Sequence, residues 1–89
     1  MDYNPKHDPT KHHTLKIVNP YYDDVRRNVK NFEIRKDDRD YKLGDMIHFC
    51  LYDKEKDFVH DADMGRVVKY ILRDAEQYGL KEGYCILGF

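Results

Sequence analysis

Apolar and polar residues alternate along several short stretches of the chain. In the first of them, Leu15 and Ile17 alternate with Thr14 and Lys16, and a period of two is typical of a β-strand with one buried face. Later stretches show the same period, most strongly the segment MIHFCLYD. The pattern predicts strands over residues 13–18, 31–36, 46–53, 65–73 and 83–89.

The second predicted strand carries alternating apolar and charged side chains. We expect Phe32 and Ile34 to face the core and Glu33 and Arg35 to face outward, because burial of a charge is costly. The strand at 65–73 differs, since apolar residues occupy both of its faces. An interior position in a sheet or barrel is predicted for it.

A short helix is predicted between the first two strands. Pro20 suits the first helical turn, and Asn19 before it suits the N-cap. Asn28 is predicted to end the helix in the left-handed conformation. One face of the helix would carry four apolar side chains, at Tyr21, Tyr22, Val25 and Val29.

These elements predict an α+β fold that is mostly β, with five to six short strands and one helix after the first strand. A small, strongly bent sheet or closed barrel with the helix at one end is the economical way to bury their apolar faces. Residues 13–89 would form this domain. Residues 1–12 show no apolar period and are predicted to be a disordered or loosely docked arm.

The size of the chain limits the kinds of function that it can perform. It has 89 residues and a mass of 10.8 kDa, which corresponds to one small domain and excludes a two-domain cleft enzyme. The sequence contains no apolar run long enough to cross a membrane and no apolar segment typical of a signal peptide. We therefore expect a cytoplasmic protein, in which Cys50 and Cys85 are buried free thiols.

The charge is nearly balanced over the whole chain but not along it. The formal net charge is -1. Residues 1–42 carry ten basic and eight acidic side chains, a net of +2, and residues 43–89 carry six and nine, a net of -3. Neither part is basic enough to predict nucleic-acid binding from its overall charge, so a local basic patch would be needed.

The densest group of charged residues lies between 30 and 39. The guanidinium of Arg35 is a planar group that can donate two hydrogen bonds to a phosphate or to a base edge. The carboxylate of Glu33 can accept a hydrogen bond from the exocyclic amine of a base. Lys30 would supply charge or, if desolvated, act as a base. The alternative is a solvated strand face with ion pairs between strands. Four tyrosines are candidates either to stack on bases or to occupy the core: Tyr21, Tyr22, Tyr41 and Tyr52.

Other kinds of site find little support in the sequence. The five histidines and two cysteines show no Cys-x-x-Cys or His-Glu-x-x-His spacing, so no metal and no cofactor are predicted. The chain has no serine and no glycine-rich phosphate loop. His13, at the start of the first strand, is predicted to line a pocket.

The segment Asn28-Val29-Lys30-Asn31-Phe32-Glu33-Ile34-Arg35 resembles the Gly-x-Lys-x-x-Glu-x-Arg motif of the ASCH domain family in the PUA-like superfamily. Lys30, Glu33 and Arg35 match the motif, and Asn28 replaces its glycine. The resemblance covers roughly residues 13–89 and is closest to a short, uncharacterised phage and bacterial branch. Further positions shared with that branch are His13, Leu15, Lys16, Asp38, Arg39, Gly44 and Asp45.

The resemblance implies a small PUA-like β-barrel with a ligand cleft beside the first helix. Binding of nucleic acid, RNA above all, or of a nucleotide is the function it implies. We expect Arg39 either to take part in binding or to pin the loop over residues 37–45 to Glu33 or Asp45. The predicted binding residues are Lys30, Glu33, Arg35, Lys16, Lys36, Arg39 and His13.

Two other functions are open. One ASCH branch hydrolyses acetylated cytidine and has a threonine where this chain has Glu33, which counts against that activity. A different small hydrolase of modified nucleobases would use Lys30 as base and Glu33 to hold the attacking water. The third possibility is an accessory protein of a phage or mobile element that binds a protein partner.

Overall fold

The protein is mostly β, with one α-helix. A computed structural model describes residues 11–60 and 64–89. The predicted arm over 1–12 therefore lies outside the described residues apart from its last two, and the second of these, His12, already belongs to a strand. In chain order the elements are β1 (His12–Ile17), α1 (Tyr21–Arg26), β2 (Phe32–Lys36), β3 (Met46–Asp53), β4 (Phe58–Val59), β5 (Met64–Val67), β6 (Tyr70–Leu72), a 3-10 turn (Glu76–Tyr78) and β7 (Tyr84–Gly88).

The strands form two sheets. In the first, β3 pairs in parallel with β1 and antiparallel with β4 and β5. In the second, β7 lies between β2 and β6, and both pairings are antiparallel. The predicted mostly-β α+β class is confirmed, although the described residues form seven strands instead of the five to six predicted. The hydrogen bonds of the strands within 11–60 and 64–89 form these two sheets and do not join them into a closed barrel.

The prediction of one strand over 65–73 is wrong, because the chain changes sheets there. β5 belongs to the first sheet and β6 to the second. Val68, between them, is fully buried. Its N–H donates to the carbonyl of Asp45 at 2.8 Å, and its carbonyl accepts from Gly44 at 2.9 Å. The apolar residues on both faces of this segment reflect a crossing between sheets rather than an interior strand.

The side chains of β2 face the opposite way from the prediction. Phe32 and Ile34 are 46% and 52% exposed, whereas Glu33 is only 9% exposed. Alternation fixes the period of a strand, and tertiary packing decides which set faces the core. Here the inward carboxylate is compensated by ion pairs, so its burial is tolerated.

Helix α1 is shorter than the sequence predicts. Tyr22 and Val25 are buried as expected, but Val29 lies beyond the helix and is exposed. Asn28 has a φ of 60°, so the predicted left-handed residue ends the helix before Val29 can join its apolar face. The N-cap is Pro20 rather than the predicted Asn19, although Asn19 Oδ1 accepts a hydrogen bond from the backbone N–H of Asp23 at 3.1 Å.

The core lies between the two sheets and the helix. Cys85 is buried there, whereas Cys50 is only partly buried, which corrects the prediction for that thiol; both are free. Among the residues that the structure describes, no helix is long and apolar enough to cross a membrane. The largest fully buried apolar side chains are Tyr41, Phe49, Leu15, Ile47, Leu87, Val25 and Val68.

Candidate functional site

The three motif residues form one ion-pair cluster. Lys30 Nζ donates to Glu33 Oε1 at 2.5 Å, and Arg35 Nε donates to Glu33 Oε2 at 3.0 Å. Their side chains are 14%, 12% and 25% exposed for Lys30, Glu33 and Arg35. Lys30 Nζ also donates to the carbonyl of Phe32 at 2.6 Å. Each of the three charged groups thus has an oppositely charged partner within the cluster. Such pairing is what makes the partial burial of charges tolerable.

Arg35 connects the second sheet to the first. Its Nη2 donates to the carbonyl of Lys16, on β1, at 2.6 Å. A guanidinium has five N–H groups, and Nε and Nη2 are held by Glu33 and Lys16. Within residues 11–60 and 64–89, Nη1 has no hydrogen-bond partner. The guanidinium is therefore fixed in place while two of its N–H groups stay available.

A cleft of about 300 Å³ opens beside this cluster. Its lining contains three cationic side chains and one carboxylate, and that carboxylate is already bound by two cations. β7 adds Tyr84, which the sequence analysis did not identify because only the pairing with Lys36 brings it to the cleft. The polar and aromatic lining residues are Lys16, Arg35, Lys36, Glu33, Tyr21 and Tyr84.

Two lysines of this cleft carry charge that no carboxylate offsets. Lys16 and Lys36 are exposed, and neither forms an ion pair with a described residue. Lys16 Nζ lies 5.2 Å from the ring centre of Tyr52. By contrast, Lys11 and Lys42 both pair with Asp40. The cleft is consequently electropositive, although the chain as a whole is not.

Two larger cavities among the described residues lack this excess of positive charge. The larger of these two, of about 650 Å³, is lined by Arg73 and Asp37 among others. Arg73 Nε donates to Asp37 Oδ2 at 2.6 Å and its Nη2 to the carbonyl of Tyr41 at 2.7 Å, so this arginine is occupied by internal partners. The other cavity, of about 460 Å³, is lined by Asp53, Lys54 and Glu55, among others.

The lining of the cleft does not include three of the predicted binding residues: Lys30, His13 and Arg39. His13 is 4% exposed, and its Nε2 lies 2.8 Å from Asp45 Oδ2. Arg39 Nη1 donates to the carbonyl of Thr14 at 2.8 Å. The prediction that His13 lines the pocket is therefore wrong for this cleft. Arg39 does attach its loop to the rest of the protein, as one of the two predictions for it stated. Its partner, however, is the Thr14 carbonyl rather than Glu33 or Asp45.

Only one of the four tyrosine candidates remains available at the cleft. Tyr22 and Tyr41 are buried in the core. The hydroxyl of Tyr52 donates to Asp57 Oδ1 at 2.8 Å, and this hydrogen bond raises the pKa of the phenol. Tyr21 is 51% exposed and lines the cleft. Stacking on a ligand is thus open to Tyr21 and excluded for Tyr22 and Tyr41.

Over the described ranges, no group of three or more His, Cys, Asp or Glu side chains is placed to hold a metal ion. Comparison with known protein families matches residues 12–89 to the family DUF3850, which is described as a domain of unknown function. No curated protein matches the chain. The matched range contains both sheets, the helix and every residue of the cleft.

Proposed function

Because the chain belongs to DUF3850, a domain of unknown function, its role has to be inferred from the cleft, and we propose that it binds the phosphate of a nucleotide or of nucleic acid, RNA above all. One observation carries the proposal. Arg35 lines the cleft and is held by Glu33 and by the carbonyl of Lys16, yet its Nη1 donates to no described residue and is not buried. A fixed guanidinium with spare donors is suited to a phosphate group.

The surrounding charges favour an anionic ligand. Lys16 and Lys36 line the same cleft without a carboxylate partner in the described part of the chain. They would add charge, while Arg35 would supply directed hydrogen bonds. Glu33 is a positioning residue in this scheme, because both of its oxygens already accept from Lys30 and Arg35. Glu33 thus orients the Arg35 guanidinium and does not contact a base.

The aromatic residues suit the remainder of a nucleotide. Tyr21 and Tyr84 line the cleft together with the cations, and aromatic faces bind bases of any sequence. A volume of about 300 Å³ is at the small end of ligand sites. The cleft therefore accommodates about one nucleotide unit.

We also propose that the fold is PUA-like and related to the ASCH family. The motif residues Lys30, Glu33 and Arg35 lie in one cluster, which supports this relationship. The two sheets would be the halves of the barrel, and the contact from Arg35 to the Lys16 carbonyl lies where β2 approaches β1. A cytoplasmic location and an origin in a phage or mobile element stay predictions.

The geometry does not favour the hydrolase alternative. Lys30 Nζ donates to the carbonyl of Phe32 and to Glu33, so it is placed as a donor rather than as a base. Glu33 has both oxygens bound, which leaves it poorly placed to hold an attacking water. Hydrolysis stays a prediction of the sequence analysis.

The proposal is tested by calorimetric titration with uridine 5'-monophosphate and with uridine at low salt. We expect the monophosphate to bind and uridine to bind at least about tenfold more weakly, because hydrogen bonds to a charged group are the strong ones. Arg35→Ala should weaken monophosphate binding roughly tenfold. Arg35→Lys should restore only part of it, because it keeps the charge and loses the fork.

Arg26→Ala is the matched control. Arg26 is an exposed arginine of α1 that pairs with Asp23 and does not line the cleft, so its removal should leave binding within twofold. Urea unfolding of both variants separates a loss of fold from a loss of ligand contact. Equal binding of uridine and its monophosphate, or equal affinity of Arg35→Ala and the parent protein, would contradict the proposal.

A further inference from the structure

The outer face of the three-stranded sheet is aromatic and open. Phe32, Gly88 and Tyr70 form one row across it, since Phe32 pairs with Gly88 and Gly88 with Tyr70. Residues paired in this way point to the same side of a sheet. Phe32 is 46% and Tyr70 63% exposed. We call the alternate residues of β2, β7 and β6 that include this row the aromatic face.

Gly88 leaves a gap between the two rings. Phe32 and Tyr70 lie two strand spacings apart, roughly 10 Å, and their side chains stand roughly perpendicular to the sheet. A flat ring placed midway would lie about 5 Å from each, within the usual distance range for aromatic pairs. A Cβ atom at Gly88 would lie 3.2 Å from the Cβ of Tyr70. Tyr70 therefore approaches Gly88 closely, and Gly88 places no side chain of its own between the two rings.

Three lysines lie on or against the aromatic face. Lys36 belongs to it, and its cross-strand partner is Tyr84. Lys30 Nζ lies 5.0 Å from the ring centre of Phe32, and Lys81 Nζ lies 5.3 Å from that of Tyr84. The strand positions on this face of β2, β7 and β6 contain no carboxylate. Aromatic rings interleaved with lysines are the pattern of a surface that binds single-stranded nucleic acid.

The aromatic face continues from the cleft. Ile34, Lys36 and Tyr84 line the cleft and also belong to the alternate set of this face. A nucleic-acid strand whose phosphate is bound beside Arg35 can therefore extend over the sheet and remain next to lysine side chains. A second copy packed face to face would bring the same ammonium groups together, because a two-fold interface repeats one patch. The charge thus favours a polyanion as the occupant.

We propose that the aromatic face stacks the bases of a single-stranded nucleic acid, with one base inserted over Gly88 between Phe32 and Tyr70. This inference rests on the proposed function, because it extends the phosphate site of the cleft into a path of several nucleotides. It specifies the ligand as a strand rather than as a free nucleotide.

The test compares uridine 5'-monophosphate with an oligouridylate of about ten nucleotides. The oligouridylate, followed by fluorescence anisotropy at low salt, should bind at least tenfold more tightly than the monophosphate. Tyr70→Leu should weaken oligouridylate binding roughly tenfold, the effect of removing one stacking ring. It should leave monophosphate binding within twofold, because Tyr70 does not line the cleft. Tyr70→Phe keeps the ring and should keep the affinity.

Tyr78→Leu is the matched control, since Tyr78 is 84% exposed on the 3-10 turn and outside the sheet. It should bind the oligouridylate like the parent protein. Urea midpoints establish that each variant is folded. Sedimentation of the parent and of Tyr70→Leu measures self-association in parallel.

The outcomes separate this inference from the proposed function. If Arg35→Ala weakens binding of the monophosphate but Tyr70→Leu leaves oligouridylate binding unchanged, the aromatic face is not a stacking surface and the cleft proposal survives. If the monophosphate does not bind and Tyr70→Leu still weakens the oligouridylate, the cleft proposal fails. If Tyr70→Leu dissolves a dimer without changing oligouridylate affinity, a second copy covers the face and the inference is wrong.

Discussion

Glu33 and Asp45 are two buried carboxylates with opposite consequences. Asp45 has a fully buried side chain and lies 2.8 Å from His13, whose side chain is 3% exposed. It also accepts from the backbone N–H of Lys42 at 3.0 Å. The side chain of Glu33 is 12% exposed and binds the side chain of Arg35, which is 25% exposed. One pair is sealed within the fold, and the other forms the wall of a cleft.

The comparison separates a charged pair that is closed to solvent from one that lies beside the proposed binding cleft. The His13–Asp45 pair lies against the ring of Tyr41, with ring centres 4.6 Å apart, and no ligand can reach it without opening the core. Arg35 is held as firmly but keeps Nη1 available at an electropositive surface. Donors that remain accessible after the internal bonds have formed are what distinguish a binding site.

The largest effect on stability is expected at Asp45. Asp45→Ala should reduce the free energy of unfolding by about 3–5 kcal/mol, because it leaves a buried His13 and a buried N–H without their acceptor. Arg35→Ala should cost only about 1 kcal/mol, since Glu33 keeps Lys30 as a partner. Urea unfolding followed by far-UV circular dichroism measures both variants.

Asp45→Asn is the control for this comparison. It keeps an acceptor oxygen of the same shape, and we expect it to lose less stability than Asp45→Ala. If Asp45→Ala and Arg35→Ala lost nearly the same free energy of unfolding, the proposed difference between the buried His13–Asp45 pair and the Glu33–Arg35 pair would be wrong.

Chemical labelling of Cys85 is a second way to compare the buried Asp45 pair with the Arg35 pair at the cleft. Cys85 pairs with Arg35 across the sheet, and burial, followed by the nearby Asp37 carboxylate, raises the pKa of its thiol to about 11. In Cys50→Ala, which leaves one thiol, labelling by a disulfide reagent should be slow at pH 8 because little thiolate is present. Labelling should be faster when Asp45→Ala is added, because that change destabilises the fold. It should not be faster when Arg35→Ala is added, because that change costs little stability.

The raised pKa also gives a direction for stability. An unfolded thiol ionises near its ordinary value of 9.0, so the unfolded chain loses this proton first as the pH rises. The contribution of Cys85 is present below pH 9 and is lost toward pH 11. Labelling that is already fast at pH 8 in the folded Cys50→Ala protein would contradict the burial of this thiol.

The smallest effect is expected at Arg39. Its hydrogen bond to the Thr14 carbonyl is exposed, so Arg39→Ala should lower the unfolding free energy by about 1 kcal/mol or less. Binding of uridine 5'-monophosphate should stay within twofold, because Arg39 lies outside the cleft lining. A tenfold loss of affinity would instead return Arg39 to the binding site, as the sequence analysis proposed.

Much of the local structure could be predicted from residue patterns. Alternation located β1, β2, β3 and β7, and Asn28 marked the end of the helix. The group of charged residues that includes Lys30, Glu33 and Arg35 could be recognised in the sequence, because it involves only a helix end and one strand. Such features are set by neighbours in the chain.

Features that depend on distant segments could not be predicted in this way. The inward turn of Glu33 depends on the pairing of β2 with β7. The burial of His13 depends on Asp45, 32 residues away, and the crossing at Val68 depends on backbone bonds to Gly44 and Asp45. A local pattern gives the period of each strand but carries no information about these partners.

The parallel pairing of β1 with β3 also sets an order of events during synthesis. His12 pairs with Met46, so 46 − 12 = 34 residues separate them, and Phe32 pairs with Gly88 across 88 − 32 = 56 residues. At a translation rate of ~5–20 residues per second, β1 emerges about 2–7 s before its partner. Non-local pairing of this kind folds slowly. The segments of β1 and β2 therefore each spend seconds of synthesis without their sheet partners, and unpaired segments of this kind are ones that chaperones protect.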